Sequence, residues 1–248
     1  MSTVVQPTAC VVIIGNEILS GKTQDANLQF LGLELAKLGI KLAEARVVRD
    51  DHATIIAQLN ECRAKYTYVF TTGGIGPTHD DITAECVARA FGVPLELNAE
   101  AVERLRSGRG DLNEARLKMA RVPAGAALID NPISNAPGFR VDNVFVFAGI
   151  PAIARAMFKA SVPQLRTGAR ILSAAIDVYA REGDLAEPLE RIAAAHPEVE
   201  IGSYPFARDG RFGASLVVRG TDAQAIERIV DQITAAMTAL GGGPVRAD

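Results

Sequence analysis

Short apolar runs alternate with helix-period segments over the first 160 residues, and this alternation most constrains the fold. "ACVVIIG" (9–15), "KLAEARVV" (41–48), "YTYVFTT" (66–72) and "NVFVFAGIP" (143–151) read as strands. Between them Leu28, Leu31, Leu35 and Leu38 recur at steps of three and four, and Gly39 stops that helix. Ile55, Ile56, Leu59 and Cys62 mark a second helix, and "ITAECVARAFG" (82–92) a third. A strand that is apolar on every residue must be covered on both faces. Strands separated by helices of this length make parallel βαβ units. The expected fold class is α/β: a three-layer αβα sandwich with a mostly parallel sheet, placed over residues 8–160. Within it the segment 99–135 reads as more helical and less regular, and a helix is expected from about 152 to 159.

The pattern changes near residue 160. "SVPQLRTGA" (161–169) carries Pro163 and Gly168 and reads as a linker. A strand (170–179), a helix (184–195), two strands (199–206 and 212–219) and a last helix (222–240) follow. This βαββα order predicts a small α+β subdomain over 169–240, its helices on one side of the sheet. The alternative is that these strands extend the first sheet.

In a parallel sheet the C-terminal strand ends share one edge, where ligands bind. Three loops should converge there. The first runs from Gly15, Asn16 and Glu17 to Asp25 and Asn27, the second holds Asp50 and Asp51, and the third is "GGIGPTHDD" (73–81). Gly73, Gly74 and Gly76 permit positive φ and close approach, and the helix that follows adds a positive N-terminal dipole. Yet six carboxylates (Glu17, Asp25, Asp50, Asp51, Asp80 and Asp81) sit on the same loops. Carboxylates beside a phosphate cradle make sense if a divalent cation, Mg²⁺, Mn²⁺ or Co²⁺, lies between them.

Plainer readings stand beside this one. Asp80 or Asp81 caps the third helix, Asp25 caps the first, and Asp50-Asp51 is a solvated turn. The glycine loop lacks the third glycine of G-x-G-x-x-G and the Lys-Ser/Thr of a P-loop, so neither dinucleotide-fold nor Walker chemistry fits. His79 is either a metal ligand or proton carrier, or an idle surface residue. Lys22 and Lys118 either neutralise a phosphate or are ordinary surface lysines.

Composition excludes other classes. A net charge of −3 gives no reason to expect nucleic acid or anionic membrane as partner. No run approaches the ~18 apolar residues that span a bilayer. Three widely spaced cysteines, with no C-x-x-C, suit reduced thiols and a cytoplasmic setting. No basic region precedes the first apolar stretch, so no signal peptide is expected.

"TTGGIGPTHDDIT", with "GNEILSGKTQDAN", "VVRDD", "NAPGF" and "VFAGIP", resembles the MoaB/Mog molybdopterin-binding superfamily. Within it the similarity is greatest to the CinA-type branch, and the molybdopterin-binding-like domain of FAD synthases looks similar too. The resemblance spans about residues 8–160, and "EIGSYPF" (200–206) resembles the small middle domain that follows in CinA proteins. It implies that Asp81 and Asp50 are the functional aspartates, with Glu17 as a further acid; Asp80, next to Asp81, is expected to assist at the metal. It also implies that Asp25, Asn27, Gly73, Gly74, Gly76 and Thr78 bind substrate, as do Asn135 and Gly138 and, on the last loop, Gly149 and Pro151. Asn16 stands where the family usually has aspartate, and Ala148 replaces the usual proline before Gly149.

Two functions follow from the resemblance. One is metal-dependent hydrolysis of nucleotide pyrophosphates such as ADP-ribose or FAD. The other is binding or adenylylation of molybdopterin during molybdenum-cofactor synthesis. Both expect a small-molecule nucleotide or pterin phosphate as ligand, and a homodimer or higher homo-oligomer as the assembly.

Overall fold

The computed structural model describes residues 6–108, 112–208 and 210–247 of the 248-residue chain. Residues 109–111, inside the irregular 99–135 segment, and residue 209 lie outside the described set. The chain divides into two compact units, Met1–Gly168 and Ala169–Asp248.

In chain order the first unit holds β1 (Thr8–Ile14), α1 (Asn16–Leu19), α2 (Asn27–Lys37), β2 (Lys41–Val48), α3 (His52–Lys65), β3 (Tyr68–Thr72) and α4 (Thr83–Phe91). There follow β4 (Leu95–Leu97), α5 (Ala99–Arg106), α6 (Glu114–Lys118), β5 (Arg121–Pro123), β6 (Ala127–Ile129), β7 (Gly138–Val141), β8 (Val144–Phe147) and α7 (Pro151–Ser161). The main sheet has six strands in the order β2-β1-β3-β8-β7-β6. The first four are mutually parallel, and β7 runs antiparallel to both β8 and β6.

Alternation along β1 explains its continuous apolar run. Ala9, Val11 and Ile13 face a core built with Leu31 and Leu35 of α2 and Met157 and Phe158 of α7. Cys10, Val12 and Ile14 face the opposite core, with Ile55 and Leu59 of α3 and Cys86 and Val87 of α4. Helices therefore cover both faces, and the unit is a three-layer αβα sandwich. Cys10 and Cys62 meet there at 3.5 Å, fully buried. Burial pushes the Cys86 thiol up to about 12, so it stays protonated. β2 is an edge strand, and Glu44 and Arg46, on its half-buried side, join Glu61, Lys65 and Tyr66 of α3 and its C-terminal end in a charged network.

The segment 99–135 holds the expected helices, α5 and α6, and also two short strands, β5 and β6, that its pattern did not show. β5 pairs with β4 as a two-stranded sheet, and β6 pairs with β7 to extend the main one. Gly138 and Phe139, the last two residues of "NAPGF", lie in β7. Gly138 is packed so tightly that a Cβ there would sit 2.5 Å from the Val146 carbonyl oxygen and 3.1 Å from the Met157 sulfur. The β7–β8 turn places Asp142 at a φ of 50°. Asn143 fixes the turn by donating to the carbonyls of Arg63 and Tyr66.

The second unit contains β9 (Leu172–Val178), α8 (Glu182–Ala195), β10 (Glu200–Arg208), β11 (Arg211–Gly220), α9 (Ala223–Ala239) and β12 (Val245–Ala247). Its sheet is antiparallel throughout, in the order β10-β11-β9-β12. Ile176, Val178, Leu216 and Val218 pack against Leu185 of α8 and Ile226, Ile229 and Ile233 of α9. It is a separate sheet with its own core, rather than an extension of the first. A fourth strand, β12, follows the expected βαββα order. β10 forms one open edge of the sheet, with Pro205 at its middle. Among the described residues no helix is long and apolar enough to cross a membrane.

Candidate active site

The parallel strands β1, β2, β3 and β8 deliver their loops to one edge of the sheet. After β1 the chain turns at Gly15, whose N–H donates to the Val48 carbonyl at 3.0 Å, and enters the single helical turn α1. The segment expected as a continuous loop thus contains a helix, which carries Glu17. The Glu17 carboxylate folds back over Gly15, where an added Cβ would lie 2.5 Å from it. Asp50, at the end of β2, accepts from the Asn16 N–H at 2.9 Å and ties the second loop to the first.

The third loop is built on backbone that only glycine adopts at ease. Gly73 and Gly74 have φ of 102° and 69°. A Cβ on Gly73 would lie 2.1 Å from the Ile14 carbonyl oxygen, and one on Gly74 would lie 2.2 Å from the Thr83 hydroxyl. Gly76 instead leaves room for the Asp81 carboxylate, which a Cβ there would meet at 2.7 Å. Asp81 accepts from the Thr78 N–H at 2.8 Å and from its hydroxyl at 2.5 Å. Asp80 takes the same hydroxyl at 2.6 Å, and that hydrogen bond holds its carboxyl below the usual range.

Neither aspartate caps α4. The helix begins after Ile82 without a side-chain cap, and Thr83 anchors it through its N–H to Gly74 and its hydroxyl to Gly73. Asp25 and Asp51, in contrast, each accept from a first-turn N–H of a helix, Asp51 as the N-cap of α3. Asp25 accepts from the Leu28 N–H at 2.8 Å. Asp51 takes both the N–H and the hydroxyl of Thr54, the hydroxyl bond being the main cause of its depressed pKa. Of the six acids, four have side chains not engaged in helix capping: Glu17, Asp50, Asp80 and Asp81.

Glu17 and Asp81 line a cavity of about 1310 Å³, together with Gly73, Gly74 and Gly76. Its far wall comes from the segment 131–136, where the buried Asn131 organises the turn. Asn131 accepts from the Ile133 N–H at 3.1 Å and donates to the Ala136 carbonyl at 2.9 Å. Asn135 lines the same cavity at a φ of 61°. Gly149 and Pro151 complete it, with Pro151 as the first residue of α7. Asn27 is buried and donates to the Gly149 carbonyl at 2.8 Å, joining the start of α2 to this last loop. Gly138 and Asp50 do not line it, and Asp25 acts through its helix. His79 is almost fully exposed.

Several lining residues had no distinctive sequence signal. Ile75, Met119, Ile150, Ile153 and Met157 give the cavity an apolar wall, and Asn131 sets the turn opposite. As isolated residue types they resemble ordinary core and surface positions. Only the convergence of the loops distinguishes them.

Among the described residues no group of three or more His, Cys, Asp or Glu side chains is placed to hold a metal ion. A cage made only of protein ligands is therefore not built there. Mg²⁺ and its analogues need one or two carboxylates, the balance coming from water and substrate phosphate. Glu17 and Asp81, hard oxygen donors on one cavity with the glycine loop, fit that requirement.

An αβα sandwich of this kind places its ligand crevice at the C-terminal edge of the parallel strands, where the glycine loop and the acids lie. Residues 10–167 match the family model described as probable molybdopterin binding domain, and the chain belongs to that family. Residues 170–241 match the middle domain of FAD synthase. A CinA-like protein of Gloeobacter violaceus is 32% identical over 95% of this chain, which spans 58% of that protein. A probable FAD synthase of Caenorhabditis elegans is 31% identical over 91% of this chain and 49% of its own length. The solved structure of CinA from Thermoplasma acidophilum superposes with a TM-score of 0.60 at 33% identity, covering 63% of this chain and 98% of that one.

Proposed function

We propose that the chain hydrolyses the phosphoanhydride bond of nucleotide pyrophosphates of the ADP-ribose or FAD type. The observation that carries this reading is the placing of Asp81 and Glu17 on one cavity with the glycine loop. Gly73 and Gly74 bring backbone, not side chain, to the ligand, so a diphosphate can approach closely. The cavity, at about 1310 Å³, is large enough for a nucleotide with a second group beyond the diphosphate. Its apolar wall suits a flat ring. FAD is two nucleotides joined through a pyrophosphate, and the relatives named for its synthesis handle such a bond.

Asp81 and Glu17, the acids that line the cavity, are the residues that would hold a divalent cation, with Asp50 and Asp80 beside them on the same loops. The cation would neutralise phosphate charge and make a bound water more acidic. Asp81 is held toward the cavity by Thr78, and Asp50 fixes Asn16 and so the turn that carries Glu17. Thr78 thus orients an acid and Asn27 orients the Gly149 loop, while the apolar wall limits water around the diphosphate.

Molybdopterin binding or adenylylation is the second reading, favoured by the family match over residues 10–167. One panel separates the two: ADP-ribose, FAD, NADH and ATP, each with Mg²⁺, Mn²⁺ or Co²⁺, scored for AMP. A pyrophosphatase releases AMP from at least one dinucleotide and loses this activity in a chelator. No AMP from any dinucleotide, with tight binding of a pterin phosphate, would overturn the hydrolase reading.

A further inference from the structure

A second cavity of about 450 Å³ adjoins the first, and Gly74, Ile75, Gly76, Asp81 and Met119 line both. Its charged groups are not balanced. Glu85 is engaged by Arg89 at 2.5 Å and by His52 at 3.3 Å, and Asp81 is held by Thr78. Facing them are Lys118, whose ammonium donates only to the Thr78 carbonyl, and Arg121, at the start of β5. The Arg121 side chain makes no ion pair or hydrogen bond with any other described residue, while its backbone lies in the β4–β5 pair. Elsewhere in the unit Arg46, Arg89, Arg104 and Arg106 all pair with carboxylates. An exposed arginine with five free donors, in a wall whose two carboxylates are already engaged, is suited to a planar, multidentate oxyanion.

We propose that this smaller cavity is an anion subsite, which takes a phosphate group of the ligand on Arg121 and Lys118. The identity of that ligand as a nucleotide diphosphate rests on the hydrolase reading, whereas the subsite itself does not. Because the glycine loop lines both cavities, one phosphate can face Arg121 while the remainder of the molecule occupies the larger cavity. Lys118 also steadies the loop through Thr78, so occupancy of the subsite bears directly on the segment that positions Asp81.

The test is calorimetric titration of the full chain with inorganic pyrophosphate in the presence of a chelator, so that no cation mediates binding. Arg121→Gln and Lys118→Gln should each weaken binding about tenfold, the loss expected for one charge-assisted hydrogen bond. Lys37→Gln, at the far end of α2, should leave it unchanged. Arg121 is exposed and unpaired, so its variant should melt as the parent does. Absence of pyrophosphate binding, or parental affinity in Arg121→Gln, would overturn the subsite. AMP release is not read here: a chain that binds pyrophosphate through Arg121 yet cleaves no dinucleotide keeps the subsite and loses the hydrolase reading.

Discussion

Thr78 serves two acids with a single hydroxyl hydrogen, which it can give to only one of them at a time. Its N–H settles the competition by adding a second bond to Asp81. Asp81 is thereby fixed without being neutralised, a state suited to a ligand that brings positive charge. Asp81→Asn keeps an oxygen to accept the Thr78 N–H but removes the charge. AMP release should fall to background, while the melting temperature, followed by circular dichroism, stays level or rises slightly. A melting point lower by several degrees with activity retained would show Asp81 to be structural. The motif residues of this site were readable because glycines and acids are uncommon together at a sheet edge. Which acids line the cavity was not readable, since Asp25 and Asp51 differ from Asp81 only in where the next helix begins. Asn131 gave no signal at all, because its role is to satisfy the backbone of its own turn.

Among the elements, β2 shows how an edge strand is tied to the helix beside it. Glu44 accepts hydrogen bonds from Arg46, Tyr66 and Lys65, which hold its carboxyl at about 2 instead of the ordinary 4.5. A depressed folded-state pKa contributes stability that is present above 4.5 and is lost as pH falls toward 2. Glu44→Gln should therefore flatten the fall in melting temperature across that acid window, with little change in slope near neutrality. An unchanged acid slope would place the dependence elsewhere. β1, β3 and β8 were legible because burial on both faces leaves a continuous apolar run. β7 was hidden, since a four-residue strand following "NAPG" carries too few side chains to display a period. β12 was hidden for the same reason, behind three consecutive glycines. Helix α1 is a single turn, too short for any periodicity.

For the whole molecule, two sheets with separate cores explain why one pattern gives way to another near residue 160. The first sheet draws its strands from parallel crossovers that need covering helices on both sides. The second is antiparallel, and its helices pack on one face. That second sheet ends on β10, a nine-residue strand whose outer side has no partner strand among the described residues. Unpaired strands of this length act as templates on which further chains add, at concentrations where a protein must stay dispersed. Pro205 interrupts the template at its middle, since its ring nitrogen carries no hydrogen to offer a newcomer. Pro205→Val would restore an unbroken donor row and raise β propensity. Light scattering of concentrated samples should then increase with time, and thioflavin fluorescence with it. An equally clear Pro205→Val solution would mean that the edge is guarded by something else. One imino acid, remote in sequence from every acid of the candidate site, would then set how crowded a solution this chain can tolerate.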